Sequence, residues 1–101
     1  MSNASIKEQA TKYIMNTYGE RDLALVRGEG CYVYDADGKR YLDFLGGLGV
    51  NCLGHCHPRI VETLKRQAET LLHVSNLYYI EPQAKAAQLL VENSFADKVF
   101  F

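Results

Sequence analysis

The 101-residue sequence lacks the features that mark several large classes of protein. Its 11 basic and 12 acidic side chains give a formal net charge of −1, and no basic stripe or block suits nucleic acid or an anionic membrane. No apolar run approaches the roughly 20 residues that span a bilayer. Residues 1–5 show no charged-then-apolar export signal. We therefore expect a cytoplasmic protein with neither nucleic acid nor a membrane as a partner.

Cysteine is also scarce, with Cys31, Cys52 and Cys56 as the three examples. Their number is odd and their spacing does not form a disulfide framework, so we expect reduced thiols. Apolar residues make up 48% of the chain, which excludes a disordered polypeptide. The length leaves room for one small domain.

The hydrophobic pattern predicts three helices and a three-stranded antiparallel meander. Ser5 and Glu8 fit a capping box, Asp37 and Gly38 fit a tight hairpin turn, and Pro58 suits the first turn of a helix. The predicted elements are a helix over residues 5–18, strands over 23–27, 31–34 and 39–44, helices over 58–72 and 81–91, and a strand over 96–101. That last strand has no sheet within the chain to join, so the sequence reads as a piece of something larger.

The most informative segment is residues 41–60, in which four glycines (Gly46, Gly47, Gly49 and Gly54) precede a helix. We expect an irregular loop whose backbone passes close to another backbone or to a ligand. A phosphate cradle is one interpretation, although the spacing matches neither a dinucleotide fingerprint nor a P-loop. Close packing against a neighbouring chain or a cofactor is favoured.

His55, Cys56 and His57, with Cys52 or Cys31, raise the hypothesis of a zinc site. The spacing typical of such sites is absent, so the favoured interpretation is that both histidines hydrogen-bond to backbone at the junction between loop and helix.

Residues 75–79 form a polar and aromatic connector in which one tyrosine could face a substrate, although tyrosines that cover apolar surface are the favoured interpretation. The lysines that could form a Schiff base are Lys85 and Lys98. Lys85 has polar neighbours on a predicted helix and Lys98 lies near the start of a predicted strand, so we expect both at the surface.

Three blocks, over residues 26–44, 53–58 and 96–101, resemble the N-terminal portion of the class III aminotransferases, which are pyridoxal-phosphate enzymes of fold type I. The resemblance covers nearly the whole chain from Thr17 onward. It implies an α/β fold in which residues 1–50 form an N-terminal helix and β-meander segment. Residues 51–101 would then begin the large cofactor-binding domain, with two helices and the first strand of its sheet.

Within the class, residues 16–19, 49–51 and 74–79 most resemble the acetylornithine branch. That resemblance implies transfer of the δ-amino group of N-acetylornithine to 2-oxoglutarate, in arginine biosynthesis, by a homodimer that uses pyridoxal 5'-phosphate. The alternatives are an ornithine, succinylornithine or other ω-amino acid aminotransferase, or a non-catalytic dimerisation or interaction module.

The resemblance also implies that the cofactor-binding and catalytic residues follow Phe101, so we assign none here and expect the isolated chain to be inert. Leu48 matches a position at which ornithine-type relatives carry a substrate-contacting tyrosine, and leucine there argues against free ornithine. Tyr79 matches a second tyrosine near the active-site entrance. The residues expected in the active-site wall or dimer interface are Gly46, Gly47, Asn51, Ser75 and Asn76.

Overall fold

The computed structural model describes all 101 residues, which divide into two compact units, Met1–Lys65 and Arg66–Phe101. The elements in chain order are α1 (Asn3–Tyr13), β1 (Leu25–Glu29), β2 (Tyr32–Asp35), β3 (Arg40–Leu42), the short turn α2 (Gly46–Gly49), α3 (Pro58–Thr70) and α4 (Glu81–Glu92). None of the helices has both the length and the apolar character that crossing a bilayer requires. The predicted division at residue 50 stays a prediction.

Helix α1 begins and ends earlier than the sequence predicts. Its N-cap is Ser2, which forms the capping box with Ser5, so the predicted box of Ser5 and Glu8 is wrong. The Ser2 hydroxyl accepts from the backbone N–H of Ser5, and the Ser5 hydroxyl accepts from that of Ser2. At the other end Ile14 is extended. The next residues include Asn16, Thr17 and Tyr18, whose low helix propensities explain why the helix does not continue.

The three strands form the predicted antiparallel meander, in the order β1-β2-β3. Glu29 pairs with Tyr32, so β1 extends through Gly28 and Glu29, two residues beyond its predicted end at residue 27. An irregularity between Leu25 and Arg27 shifts the register of β1 against β2 by one residue. The predicted Asp-Gly hairpin is confirmed, with Gly38 at φ 88° and the chain returning as β3.

The core of this unit is very small and lies on one face of β2. Val33 is 8% exposed and Asp35 is 4% exposed, and they are the buried residues of the chain. Because side chains alternate along a strand, both point to the same face of the sheet. Large apolar side chains elsewhere are mostly exposed, as the sequence analysis expects for a piece of a larger protein.

A hydrogen-bond network around Asn3 joins α1 to the sheet. The Asn3 carbonyl oxygen accepts from the backbone N–H groups of Ala24 and Ala36, and its amide donates to Asp35 at 3.0 Å. The Asp35 carboxylate also accepts from the Tyr41 hydroxyl at 2.8 Å. This network fixes the start of the helix over the hairpin.

The Arg66–Phe101 unit contains the end of α3 and the whole of α4. Both helices lie within about two residues of their predicted bounds, and the connector before α4 is irregular, as predicted. The predicted strand over residues 96–101 is wrong for this structure, because the segment pairs with no other strand. A strand needs a neighbouring ladder for its N–H and C=O groups, and none reaches this segment.

Candidate functional site

The glycine-rich segment is a single left-handed turn rather than an irregular loop. All four residues of α2 have positive φ, with Gly46 at 55°, Gly47 at 64°, Leu48 at 64° and Gly49 at 79°. Glycine adopts this conformation without steric strain, whereas the Cβ atom of other residues clashes with the backbone. The conformation therefore explains three of the glycines, and it leaves Leu48 as a strained residue at the centre of the turn.

The backbone of the turn satisfies most of its own hydrogen-bonding groups. The N–H groups of Leu48 and Gly49 donate to the Leu45 carbonyl at 3.0 and 3.3 Å, and those of Val50 and Asn51 donate to the Gly46 carbonyl at 2.9 and 2.8 Å. A phosphate cradle requires free N–H groups that converge on the anion. The turn does not offer such groups, because most of its N–H groups are paired within the chain. The glycine spacing, which matches neither a dinucleotide fingerprint nor a P-loop, also disfavours a phosphate site.

Leu48 presents its side chain outward from this turn and is 82% exposed. Asn51 follows the turn and packs against it, since a Cβ atom on Gly47 would lie 3.2 Å from the Asn51 amide nitrogen. Three residues predicted for the wall of the site, Gly46, Gly47 and Asn51, therefore lie beside Leu48, which is predicted to contact the substrate. The hydrogen-bonded backbone of the turn carries one exposed apolar side chain at its apex.

Asp43, three residues before the first glycine of the turn, anchors its beginning. Its Oδ1 accepts from the backbone N–H groups of Leu45 and Gly46, each at 2.9 Å. Its Oδ2 lies 2.6 Å from Nε2 of His55. The hydrogen bond from His55 holds the pKa of Asp43 below its ordinary value, with help from the two backbone donors and against partial burial. The carboxylate is therefore ionised at neutral pH and can only accept, so Nε2 of His55 carries the proton.

His55 is held in turn by the first strand. Its backbone pairs with Gly30 through two hydrogen bonds, of 3.0 and 2.7 Å. A Cβ atom on Gly28 would lie 2.6 Å from Cγ of the His55 ring, and one on Gly54 would lie 2.9 Å from the Gly30 carbonyl oxygen. These glycines permit two backbones to meet, so the close approach predicted for Gly54 is to another part of the same chain.

The two histidines of the His-Cys-His sequence have different roles. Nδ1 of His57 accepts from the backbone N–H of Arg59 at the start of α3, which confirms the predicted backbone contact. For His55 the prediction is wrong, because its ring bonds to the Asp43 carboxylate. The reason is that Asp43 follows β3 and its backbone N–H donates to the carbonyl of Cys31, the neighbour of Gly30, with which His55 pairs. No group of three or more His, Cys, Asp or Glu side chains is arranged to hold a metal ion.

The remaining predicted site residues, Ser75, Asn76 and Tyr79, lie in the Arg66–Phe101 unit. Ser75 has φ 64°, the third non-glycine residue with positive φ after Leu48 and Cys56. Asn76 and Tyr79 are exposed. Tyr79 lies at the edge of a shallow hollow that Ile80, Gln83, Ala84, Ala87, Val99 and Phe101 also line. These residues offer binding surface and no group suited to proton transfer.

Neither candidate lysine is prepared for covalent chemistry. Lys85 forms an ion pair with Glu81 one turn earlier on α4, and both side chains are largely exposed. Lys98 is exposed as well. A Schiff-base lysine needs a desolvated or otherwise lowered-pKa environment, so the predicted surface positions of both lysines agree with the structure. The arrangement around α2 can shape and orient a bound molecule.

Asp43 and Gly28 were not predicted as site residues. An aspartate three residues before a glycine-rich turn is a recognisable signal, since its side chain can accept from backbone N–H groups two and three residues later. The partnership of Gly28 with His55 has no local signal, because it joins residues that are distant in sequence.

Comparison with known proteins supplies the family. Residues 13–101 match the family model for aminotransferase class III. The acetylornithine aminotransferase of Methanocaldococcus jannaschii is 54% identical over 101 residues, which is 100% of this chain and 25% of the relative. The chain thus spans about a quarter of the length of the curated relatives that it matches.

Solved structures give the same answer for the fold. The acetylornithine aminotransferase of Elizabethkingia anophelis has a TM-score of 0.89 at 33% identity, covering 97% of this chain and 26% of that one. The ornithine δ-aminotransferase of Plasmodium falciparum has a TM-score of 0.90 at 28% identity, and the match covers 97% of this chain and 25% of that one. These neighbours confirm the expected fold type I, and the chain belongs to the class III aminotransferase family.

Proposed function

We propose that the full-length protein transfers the δ-amino group of N-acetylornithine to 2-oxoglutarate, with pyridoxal 5'-phosphate as cofactor. The observation that carries this proposal is the 54% identity, over the whole chain, to an acetylornithine aminotransferase. Further relatives of that name are 56% and 54% identical over most of the chain. The ornithine aminotransferase of Plasmodium falciparum is equally similar in fold but only 28% identical. Sequence rather than fold therefore favours the acetylated donor.

Leu48 supports the same choice of donor. It is exposed at the apex of a turn whose backbone groups are already hydrogen-bonded to one another. An apolar side chain there gives no hydrogen-bonding partner to the charged α-amino group of free ornithine, and burying that charge without a partner is unfavourable. The acetylated nitrogen of N-acetylornithine is neutral and carries a methyl group that can contact leucine. We propose Leu48 and Tyr79 as substrate-contacting residues, with Gly46, Gly47, Asn51, Ser75 and Asn76 in the surrounding wall or dimer interface.

The residues of this chain do not by themselves fit pyridoxal phosphate. Most N–H groups of the glycine turn are already hydrogen-bonded within the chain, and Lys85 is paired with Glu81 at the surface. When bound, the cofactor supplies the electron sink that amino transfer requires. We derive no chemical step through it from these residues, and we propose for them the task of shaping the donor site.

We further propose that the enzyme acts as a cytoplasmic homodimer. Many large apolar side chains of this chain are exposed, among them Phe44, Leu45 and Leu53, and such surface is normally covered by further protein. The free cysteines are exposed, a state that reducing compartments maintain.

The test is an amino-transfer assay on the full-length protein with added pyridoxal phosphate. We expect glutamate to form from 2-oxoglutarate when N-acetylornithine is supplied, and to form much more slowly with ornithine. Succinylornithine is tested as a third donor. An equal or higher rate of glutamate formation with it would identify the enzyme as a succinylornithine aminotransferase instead. Absence of glutamate with every ω-amino donor would refute an aminotransferase activity of any kind.

A further inference from the structure

We propose that Asp43 and His55 are positioning residues for the amine donor, acting through the left-handed turn that carries Leu48. This inference rests on the function proposed above. The Asp43 carboxylate and Nε2 of His55 bind each other at 2.6 Å. These atoms are therefore not free to contact the substrate. They act on the turn, and the turn presents Leu48.

The geometry makes Asp43 a bridge between two pieces of backbone. One carboxylate oxygen receives the first two N–H groups of the turn, from Leu45 and Gly46. The other oxygen receives His55, whose own backbone is paired with Gly30 beside β1. The beginning of the turn is therefore fixed to the sheet through a chain of short contacts.

Leu48 needs such an anchor because its conformation is unfavourable. A leucine at φ 64° and ψ 50° is held in a region that only glycine enters freely, and residues of this kind persist where the surroundings determine them. If the contact from His55 is lost, Asp43 can rotate, the two N–H groups at the start of the turn lose their fixed acceptor, and Leu48 is free to relax. The side chain would then leave the position at which it contacts the donor.

The decisive variant is His55→Ala in the full-length enzyme, with His55→Gln as its conservative counterpart. In a ping-pong reaction, kcat/KM for each substrate reports only its own half-reaction. We expect His55→Ala to lower kcat/KM for N-acetylornithine roughly tenfold, the scale of one lost hydrogen bond to a charged group. The kcat/KM for 2-oxoglutarate should stay unchanged, because 2-oxoglutarate has no acylamino group that could contact Leu48. Glutamine can donate to Asp43 from its amide, so His55→Gln should restore most of the loss.

His57→Ala is the matched control, because His57 lies two residues away and bonds to the start of α3 instead of Asp43. It should leave both kcat/KM values unchanged. Hydrogen exchange adds a readout independent of activity: the amides of residues 45–51 should exchange faster in His55→Ala than in the wild type or His57→Ala. If His55→Ala does not fold, Asp43→Asn provides the same test, since it keeps the size of the side chain and removes the charge that His55 meets.

The outcomes separate this inference from the proposed function. A wild-type enzyme that makes no glutamate from N-acetylornithine refutes the function, and the inference about its donor with it. An active wild type whose kcat/KM for the donor survives His55→Ala, or falls equally for 2-oxoglutarate, refutes the positioning role alone. Failure of His55→Gln to restore the donor value would also refute it.

Discussion

Gly28 lies directly beneath the ring of His55, so closely that a Cβ atom added to Gly28 would be 2.6 Å from Cγ and 2.7 Å from Cβ of the histidine. Gly28 also lies in β1, where it is paired with Val33 of the most buried strand. The contact couples the sheet to the segment that contacts Asp43. A Cβ atom at this position should therefore disturb this part of the fold.

We therefore predict that Gly28→Ala lowers the free energy of unfolding of the full-length protein by about 1–3 kcal/mol, the usual effect of overpacking. The atoms it meets, Cβ and Cγ of His55, lie next to the backbone and cannot swing away. The measurement is a urea titration followed by circular dichroism. In a His55→Gly background the same substitution should cost much less, because both Cβ and the ring of residue 55 are gone. Equal effects in both backgrounds would show that the His55 side chain is not the obstacle.

The strain at Leu48 gives a second prediction. Replacing Leu48 with glycine removes an unfavourable left-handed conformation worth about 1–2 kcal/mol and adds the entropic penalty of glycine, about 0.5–1 kcal/mol. The thermal unfolding temperature of Leu48→Gly should therefore equal or slightly exceed that of the wild type, while N-acetylornithine turnover falls. Gly47→Ala should be destabilising. Alanine would have to adopt the positive φ of Gly47, and its Cβ atom would lie 3.2 Å from the Asn51 amide nitrogen. A clear loss of stability in Leu48→Gly would contradict the assigned strain.

Asn3 provides a third prediction, concerning how α1 is attached. It accepts from Ala24 and Ala36 and donates to the nearly buried Asp35. Asn3→Ala removes the side-chain acceptor of the Ala24 and Ala36 N–H groups and one donor to Asp35, which should lower the free energy of unfolding by about 1–3 kcal/mol. Asn3→Asp should be at least as harmful, because it sets a second carboxylate against Asp35. If chemical denaturation finds both variants as stable as the wild type, the network does not hold the helix.

The meander, the helices and the special character of residues 41–60 could be predicted from the sequence, because they depend on local signals. The Asp-Gly turn, Pro58 and the alternation of apolar residues act over a few positions. The handedness of the turn could not be predicted, since glycines permit positive φ without requiring it. Pairing of Asp43 with His55 depends on how the ends of separate elements meet.

Residues 96–101 have the composition of a buried strand but form none in this structure. Strand formation depends on a neighbour that supplies hydrogen bonds, and the sequence already indicates that the chain has no sheet for this segment to join. Helix α1 shows the opposite case, in which a purely local detail was missed. Serine at position 2 competes with Ser5 for the N-cap, and the sequence allows either to start the helix.

Acid should weaken the Asn3 network in a defined way. Burial alone would raise the pKa of Asp35, but hydrogen bonds from Asn3, Tyr41 and two backbone N–H groups outweigh it and hold this pKa below the ordinary value of 3.8. The stabilisation from Asp35 is therefore complete above about pH 3.8 and is lost as the pH falls through the lower folded value.

The measurement is the unfolding free energy of wild type and Asp35→Asn between pH 7 and the acid limit. The difference between the two should be constant near neutrality and shrink in acid, whereas the exposed Asp97→Asn should differ little from the wild type throughout. A difference that persists undiminished into strong acid would mean that the ionised carboxylate is not the stabilising form.

The most direct test of the account compares two donors with and without the leucine at the apex of the turn. The measured quantity is the ratio of kcat/KM for N-acetylornithine to that for ornithine, in the full-length wild type and in Leu48→Tyr, which introduces a hydroxyl for the α-amino group. We predict a ratio well above one in the wild type and a fall of roughly tenfold in the variant, the scale of one hydrogen bond to a charged group. A wild-type ratio near one, or a ratio that Leu48→Tyr leaves unchanged, would contradict the role assigned to this turn.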